Sequence, residues 1–281
     1  MRTADFSPAS RKSLVPRWGR LALIAIGLVY LVLLVALPLG NIFLQAFGEG
    51  LGSYWQAVST REALHAIGLT LLIALVAVPV NTFFGLVIAW VLARQQFVLK
   101  PLLLGVLDLP FAISPVVVGM MAIVLFSHTN GFLGPWLAAH DLKIIFALPS
   151  MILVTTFVTL PFVAREVLPV LLATGTDQEQ AAETLGATPF QIFWRITLPE
   201  IRQALLYGVV LTNARALGEF GAVSVVSGKL INETQTLTLH IEQVYTEYQT
   251  TAAFACASLL ALVALLTLVG GEWLRQSREQ T

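Results

Sequence analysis

Six long apolar runs constrain this chain more than any other feature of its sequence. Each is about as long as the roughly 20 residues with which an α-helix crosses ~30 Å of hydrocarbon. Because lipid-exposed loops and open sheet edges cannot satisfy their backbone hydrogen bonds in hydrocarbon, all six are predicted to be helices. The sequence therefore predicts an all-α polytopic membrane protein with six transmembrane helices, at about residues 21–46, 68–93, 101–127, 144–164, 203–227 and 252–274.

The composition agrees with a place in the lipid bilayer. Hydrophobic residues make up 57% of the chain and charged residues 11%, whereas soluble domains have roughly 25% charged residues. The first run is too long for a cleavable signal and is predicted to be a retained anchor. A lone cysteine, Cys256, excludes an intrachain disulfide. The histidines lie in outer loops without metal-ligand spacing, so we predict no metal site and no cofactor, and we expect surface positions for His65, His128, His140 and His240.

Lysine and arginine are distributed unevenly between the two sets of loops. With the N-terminus inside, the outer loops hold only Arg61, Lys143 and Lys229, and Arg215 falls within a run. The other basic residues are all in segments assigned to the cytoplasm, namely Arg2, Arg11, Lys12, Arg17, Arg20, Arg94, Lys100, Arg165, Arg195, Arg202, Arg275 and Arg278. The positive-inside rule therefore predicts cytoplasmic tails at 1–20 and 275–281 around a membrane domain at 21–274.

A polar interval at 175–202 has the sequence pattern of two short helices, which a simple connection between spans would not need. Its first part suits a helix from about Asp177 to Leu185 with Thr176 or Asp177 as N-cap. Gly186 would end that helix with a positive φ, and Pro189 would start a second one. An amphipathic helix lying on the lipid surface would explain Phe190 to Trp194 alone. It would not explain the placement of the alanines, glycine and proline together, so we predict a docking surface for a cytoplasmic partner.

The spacing Ala181-Ala182, Gly186 and Ile196-x-Leu198-Pro199 resembles the cytoplasmic "EAA" loop of permease subunits of bacterial ABC importers. The resemblance implies a type I (MetI-like) permease fold, in which this loop docks in a cleft of the ATP-binding subunit. We call residues 175–202 the coupling loop. The sequence departs at Gln180, where the family usually has glutamate. The residues implied to couple to the ATPase are Glu179, Gln180, Ala181, Ala182, Gly186, Ile196, Leu198 and Pro199.

Two further stretches are similar to permeases of sulfate/thiosulfate importers, and among these to the CysW type. They are Pro110 to Pro115 in the third run and Thr212 to Gly228 in the fifth. The Arg-x-x-Gly-Glu-x-Gly pattern within the second stretch also occurs in molybdate and tungstate permeases. The resemblance thus implies an oxyanion importer, with sulfate as the expected substrate.

The fifth run contains two charges, Arg215 and Glu219, which four-residue spacing places on one helix face with Thr212. A charge near mid-bilayer costs about 2.5–3.5 kcal/mol on insertion scales, so it needs a partner or a role. Either the two charges neutralise each other to hold the bundle together, or they line the pathway or its gate.

The third run is interrupted by Asp108, Pro110, Ser114 and Pro115. Proline removes a backbone donor and bends a helix, so this run is predicted to line the passage, with Ser114 as a pathway residue. Asp108 is open to a structural or a functional interpretation.

No catalytic set and no nucleotide-binding motif is present in the sequence; the nearest string, Ser227-Gly228-Lys229-Leu230, lacks the required pattern. We therefore predict that the chain is not an enzyme and that a partner hydrolyses ATP.

The resemblance implies a bacterial inner-membrane permease that forms a heterodimer with a second permease subunit. Its other implied partners are cytoplasmic ATP-binding subunits, a periplasmic sulfate-binding protein and the lipid bilayer; no nucleic acid is expected. A molybdate or tungstate permease is one alternative. A stand-alone secondary transporter is another, although the sequence has no convincing internal repeat.

Overall fold

A computed structural model describes residues 17–279, and within that range every regular element is a helix. Residues 1–16 of the predicted N-terminal tail, with Arg2, Arg11 and Lys12, lie outside the described residues, as do 280–281. The helices are α1 (Arg17–Leu31), α2 (Leu37–Ala46), α3 (Leu51–Val58), α4 (Arg61–Arg94), α5 (Lys100–Ala112), α6 (Pro115–Phe126), α7 (Gly134–Ala139), α8 (Leu148–Thr159), α9 (Pro161–Thr174), α10 (Asp177–Thr184), α11 (Pro189–Ile192), α12 (Leu198–Leu217), α13 (Gly221–Val226), α14 (Leu237–Thr246) and α15 (Thr250–Glu279). Single π-helical turns join α1 to α2 at Val32–Ala36 and α11 to α12 at Phe193–Thr197.

Four stretches of the described chain are helical, long and apolar enough to cross a membrane. They are Trp18–Ala46, Arg61–Arg94, Leu148–Thr174 and Thr250–Gly271, and the bent pair α5 and α6 would make a fifth. The all-helical membrane architecture therefore matches the predicted one, while the number of six spans stays a prediction.

The predicted third span consists of two helices, whose axes make an angle of 111°. Ile113 and Ser114 separate them with extended backbones, Ser114 at φ −59° and ψ 136°. The residue before a proline avoids the helical region, so Pro115 forces this break and then begins α6. The proline-dependent bend was expected, but its size was not.

The predicted fourth and fifth spans have different limits in the structure. The fourth continues as a helix through Arg165 to Thr174, and the cytoplasmic position of Arg165 stays a prediction. The fifth is not one helix, because α12 ends at Leu217 and α13 begins at Gly221. Glu219 therefore lies in the turn after α12, where Ala222 N donates a hydrogen bond to its Oε1 at 2.9 Å.

The two larger apolar cores of the described chain lie along the length of α4. Near one end, Leu69 and Ile73 pack with residues of α6, α8, α13 and α14. Near the other, Ala89 and Leu92 pack with α5, α9 and α12. The coupling loop lies beyond the second core, at what we call the loop end of the bundle. At the opposite end, His240 on α14 is 6% exposed, so its expected surface position is wrong.

Val163 of α9 is the point where three helices approach most closely. A Cβ atom at Gly85 of α4 would lie 2.8 Å from Val163 Cβ, and one at Gly208 of α12 would lie 2.9 Å from Val163 Cα. Real Cβ atoms essentially never come this close to another heavy atom. The absence of a side chain at both positions therefore permits this packing, as is typical of helix contacts in membranes.

Candidate functional site

The coupling loop has the helix, glycine turn and second helix that the sequence predicts. Helix α10 ends at Thr184, and Gly186 follows with φ +85°, a conformation that disfavours residues with a side chain. Thr188 then caps α11: its hydroxyl accepts from Gln191 N, while the Gln191 side chain accepts from Thr188 N. This capping box fixes the direction in which the second helix starts.

Glu179 holds the coupling loop to the bundle. Its Oε1 accepts hydrogen bonds from Arg94 Nη2 at 2.9 Å and from the buried Thr197 hydroxyl at 2.8 Å. Arg94 also donates from Nη1 to the Leu171 carbonyl at 2.8 Å. The side chains of Arg94 and Glu179 are only 7% and 17% exposed. Because charge-assisted hydrogen bonds in a poorly solvated place are strong, three elements are tied together at one carboxylate.

At its tip, the coupling loop exposes large apolar side chains next to small residues. Leu185 is 88% exposed and Phe190 72% exposed, on either side of Gly186. Ala181 is also exposed, and Gln180 turns its amide to the Thr176 hydroxyl at 3.0 Å. Two large apolar side chains beside small residues are typical of a surface that binds another protein.

The residues predicted to couple to an ATPase thus fall into two groups. Gln180, Ala181, Ala182 and Gly186 lie on or beside the exposed tip, and Pro199 is also exposed. The other three, Glu179, Ile196 and Leu198, are partly buried, and Leu198 packs against the second core. Sequence reasoning missed Leu185, although an apolar residue directly before a helix-ending glycine was a signal for it.

A cavity of about 480 Å³ opens where the bent helix pair meets α8, α9 and α12. It brings together two of the predicted pathway residues, Ser114 and Arg215. The rest of its wall is apolar and comes from Pro110, Phe111, Ala112, Ile113, Pro115, Val158 and Phe162. A single cation in an apolar wall gives a strong local field, because the surroundings screen it little.

Arg215 and Glu219 form an ion pair of 2.6 Å with very unequal exposure. The Arg215 side chain is 33% exposed and the Glu219 side chain 1% exposed. The buried Glu219 therefore neutralises the arginine on the side away from the cavity, and it also accepts the hydrogen bond from Ala222 N at the start of α13. The guanidinium itself reaches the cavity. Thr212, the other predicted pathway residue, is fully buried and donates to the Gly208 carbonyl at 2.7 Å.

The chain matches one protein-family model and is similar in sequence to several known transport proteins. A family model described as "Binding-protein-dependent transport system inner membrane component" matches residues 81–280. The sulfate transport system permease protein CysW of Synechocystis sp. is 56% identical over 254 residues, which cover 90% of this chain and 92% of the relative. CysW of Escherichia coli K12 is 52% identical over 251 residues, covering 89% and 86% of the two chains. The permease protein CysT of that bacterium is 38% identical over 241 residues, covering 86% and 87%.

Two solved structures share the fold at low sequence identity. A bacterial ABC transporter involved in the import of the polysaccharide alginate aligns with a TM-score of 0.79 at 17% identity, covering 93% of this chain and 96% of that one. The methionine ABC transporter MetNI, in an inward-facing conformation, aligns at 0.58 and 20% identity, covering 76% and 94%. These likenesses confirm the predicted type I permease fold.

Proposed function

The chain belongs to the family of binding-protein-dependent transport system inner membrane components, and from this premise we propose that it is the CysW-type permease subunit of an ATP-driven sulfate/thiosulfate importer. It forms half of a translocation pathway, and a CysT-like permease subunit forms the other half. The CysW relatives in two bacteria, each similar over nearly the whole chain, support sulfate as the substrate. That E. coli has both a CysW and a CysT relative of this chain supports a heterodimer.

Coupling to ATP hydrolysis takes place at the tip of the coupling loop. The observation that best supports this role is the exposure of Leu185 and Phe190 on a loop that the Arg94, Glu179 and Thr197 contacts fix to the bundle. An exposed apolar tip can enter a cleft on a cytoplasmic ATP-binding subunit. Because Glu179 ties the loop to Arg94 of α4 and to the π-helical turn that leads into α12, movement of that subunit is transmitted to the spans instead of bending the loop.

Substrate passes the Arg215 cavity without being held tightly. A sulfate dianion gains the field of one guanidinium, but Glu219 already neutralises much of that charge. Loose binding suits a pathway, since a site that binds its ion tightly releases it slowly. Affinity and selectivity then come from a periplasmic sulfate-binding protein, which delivers its ligand at the opposite end of the bundle. In this orientation the coupling loop and both termini are cytoplasmic.

Replacing Gly186 by leucine tests the coupling role. A leucine at φ +85° is strained and displaces the tip, so we expect sulfate uptake by the reconstituted complex to fall at least roughly tenfold, equivalent to ~1.4 kcal/mol of lost coupling. The ATP-binding subunit should also copurify poorly, while membrane insertion is unchanged.

Gly50→Leu is the matched control, because Gly50 has φ +91° in equally open space but lies at the opposite end. This variant should retain the ATP-binding subunit. Normal uptake and normal copurification by Gly186→Leu would refute the coupling role.

A related oxyanion is the second candidate substrate, since the sequence pattern around Arg215 and Glu219 also fits molybdate and tungstate permeases. Competition of labelled sulfate uptake by thiosulfate, molybdate and tungstate separates these cases. Uptake by this chain alone, without ATP or its ATPase, would contradict the importer subunit altogether.

A further inference from the structure

A second ion pair links α9, which belongs to a candidate span, with α5 of the bent helix pair. Arg165 on α9 donates to Asp108 Oδ1 on α5 from Nε at 3.0 Å and from Nη2 at 2.6 Å. From Arg165 the helix continues to Thr174 for about 14 Å, at ~1.5 Å per residue, so the pair does not lie at the end of its candidate span. The sequence leaves Asp108 open to a structural or a functional interpretation, and the positive-inside rule assigns Arg165 to a cytoplasmic segment.

The exposure of this pair excludes a purely internal role. The Arg165 and Asp108 side chains are 51% and 50% exposed on the surface of the chain. Charged side chains within spans avoid lipid and face a neighbouring protein or a water-filled cavity. Asp108 is too short to reach an interface that distance away. The pair therefore faces a neighbouring protein or a water-filled cavity, and the proposed function supplies such a cavity in the pathway between this chain and its partner permease.

The donors of Arg165 are also poorly matched to their acceptor. A guanidinium binds a carboxylate best through two parallel hydrogen bonds to two oxygens. Here Nε and Nη2 both point at the one oxygen Oδ1. A tetrahedral oxyanion presents two oxygens to the same fork, so it can compete with Asp108 for Arg165.

Arg165 and Arg215 lie at different levels along the bundle. Gly208 of α12 packs directly on Val163 of α9, which sets a common level for the two antiparallel helices. From Gly208, α12 rises about 10 Å to Arg215, away from the loop end. From Val163, α9 runs about 3 Å towards the loop end to Arg165. The backbones of the two arginines are therefore about 13 Å apart along the direction of transport.

An aromatic pair stands between the two arginines. Phe111 and Phe162 contact edge to face, with ring centroids 5.3 Å apart and an angle of 73°. Both rings line the cavity that contains Arg215. The Phe111 ring also lies 4.8 Å from the Arg165 guanidinium carbon. One aromatic side chain thus belongs to both charged sites and forms an apolar barrier between them.

We propose that Arg165 is a second binding site for the transported oxyanion, occupied by Asp108 at rest and separated from the Arg215 cavity by a Phe111 and Phe162 gate. This inference rests on the proposed function. When the rings part, the dianion moves from Arg215 to the Arg165 fork and displaces Asp108. Asp108 then returns to Arg165 and releases the anion towards the loop end.

Three variants of the ion pair test the proposal in proteoliposomes that contain the whole importer. Arg165→Gln should lower coupled sulfate uptake at least roughly tenfold, while ATP hydrolysis stimulated by the loaded binding protein persists. Asp108→Asn keeps the arginine but removes the carboxylate that displaces the anion, so it should slow release and lower uptake less than Arg165→Gln does. A double Asp108→Leu, Arg165→Met variant replaces the pair by apolar side chains, which is often neutral for folding, and it should assemble but not transport.

A merely structural ion pair predicts different results. In that case Asp108→Asn and Arg165→Gln would be impaired equally, and the double apolar variant would transport normally; either result overturns the proposal. Uptake by Arg165→Gln at the wild-type rate overturns it as well. If the wild-type importer itself moved no sulfate, the proposed function would fail first, and the two failures are thereby distinguished.

The gate is tested in the same proteoliposomes without ATP. Phe162→Ala should raise the passive efflux of labelled sulfate several-fold, because an apolar barrier is removed. Phe84→Ala is the control, since Phe84 forms a similar edge-to-face pair with Phe83 on α4, at 5.2 Å and 82°, away from the cavity. Equal efflux from wild type and Phe162→Ala, or an equal increase in the control, overturns the gate.

Discussion

Arg94 and Arg215 each pair with a glutamate, but the two pairs differ in what they leave accessible. The Arg94 pair is closed, because the arginine is 7% exposed and also binds the Leu171 carbonyl. The Arg215 pair is open, because its arginine is 33% exposed while Glu219 is almost fully buried. The same two residue types therefore fix a loop in one place and present a cation in another.

Removing both charges of the second pair separates a pathway role from a structural one. The double variant Arg215→Ala, Glu219→Gln leaves no buried unpaired charge, so we expect the complex to assemble. Sulfate uptake should fall at least roughly tenfold, because the cavity loses its only cation among the lining residues. Glu219→Gln alone keeps Arg215 and serves as the control. Uptake by the double variant at the rate of that control would show that the pair is structural.

His240, at the opposite end of the bundle, should make the stability of the protein depend on pH. Burial lowers its pKa from the ordinary value, and Glu62 and Glu247 oppose the shift only partly. Its Nδ1 has no hydrogen-bond partner among the described residues, and Glu49 lies in the wall of the same cavity. With a lowered folded pKa the unfolded chain binds more protons, so stability is full above about pH 6.5 and falls as the pH drops below it.

The expected result is a thermal midpoint in detergent that decreases between about pH 7 and pH 5.5. His240→Met should flatten this dependence, since the titrating group is removed. The same substitution at the exposed His128 should leave the curve unchanged. A His240→Met curve parallel to that of the wild type would contradict the assignment.

At the scale of the helices, the arrangement of the cavity depends on helix breaks and interhelical contacts more than on helix length. The break at Ser114 and the turn at 218–220 place Ser114, Phe111 and Arg215 around one cavity. If the third and fifth spans were uninterrupted helices, these three side chains would not line a common cavity. The prolines in the sequence predicted the first of these helix breaks. The second depends on Glu219, which bonds Ala222 N and whose own carbonyl accepts from Thr238, and neither bond has a local sequence signal.

The contact of α9 with α12 predicts a glycine that does not tolerate even a methyl group. Gly208→Ala would bring a Cβ atom within 2.9 Å of backbone at Val163, so we expect a loss of about 1–3 kcal/mol in stability from overpacking. Gly68→Ala on α4 is the control, because nothing lies within 4 Å of its Cβ position. Thermal unfolding of the two purified variants measures the difference. A Gly208→Ala protein as stable as the control would mean that the two helices can move apart freely.

At the scale of the whole molecule, the loop end and the opposite end have different surfaces. The loop end presents the apolar tip at Leu185 and Phe190. The opposite end has a polar cavity of about 640 Å³ that is lined by Glu49, Glu62 and Glu247. This polarity agrees with the proposed orientation, in which an ATPase binds one end and a soluble binding protein the other.

Labelling with a membrane-impermeant maleimide tests that orientation. Gln96→Cys, in the exposed turn at the loop end, should react only after the membrane is permeabilised. Thr129→Cys, in the exposed turn after α6, should react in intact spheroplasts. The native Cys256 is fully buried and provides an unreactive background. Labelling of Gln96→Cys in intact spheroplasts would refute the orientation.

The sequence alone determined the features that depend on local chemistry. Run length and hydropathy identified helices that suit a membrane, because a helix in lipid needs no partner to satisfy its backbone. Gly186 and Pro189 were identified for the same reason, since a positive φ and a helix start depend on a few neighbouring residues.

Only the tertiary structure decided which charges are buried, which are exposed and which line a cavity. Arg94, Arg165 and Arg215 are alike in sequence, and their roles follow from contacts across 57 to 85 residues of chain, such as Arg165 with Asp108 and Arg94 with Glu179, or from the cavity in which they end. The charge count assigned Arg165 to a cytoplasmic segment, and only the structure shows that it pairs with Asp108 from a helix that continues to Thr174. Exposure and pairing of a charge depend on packing between distant helices, and no local pattern records that packing.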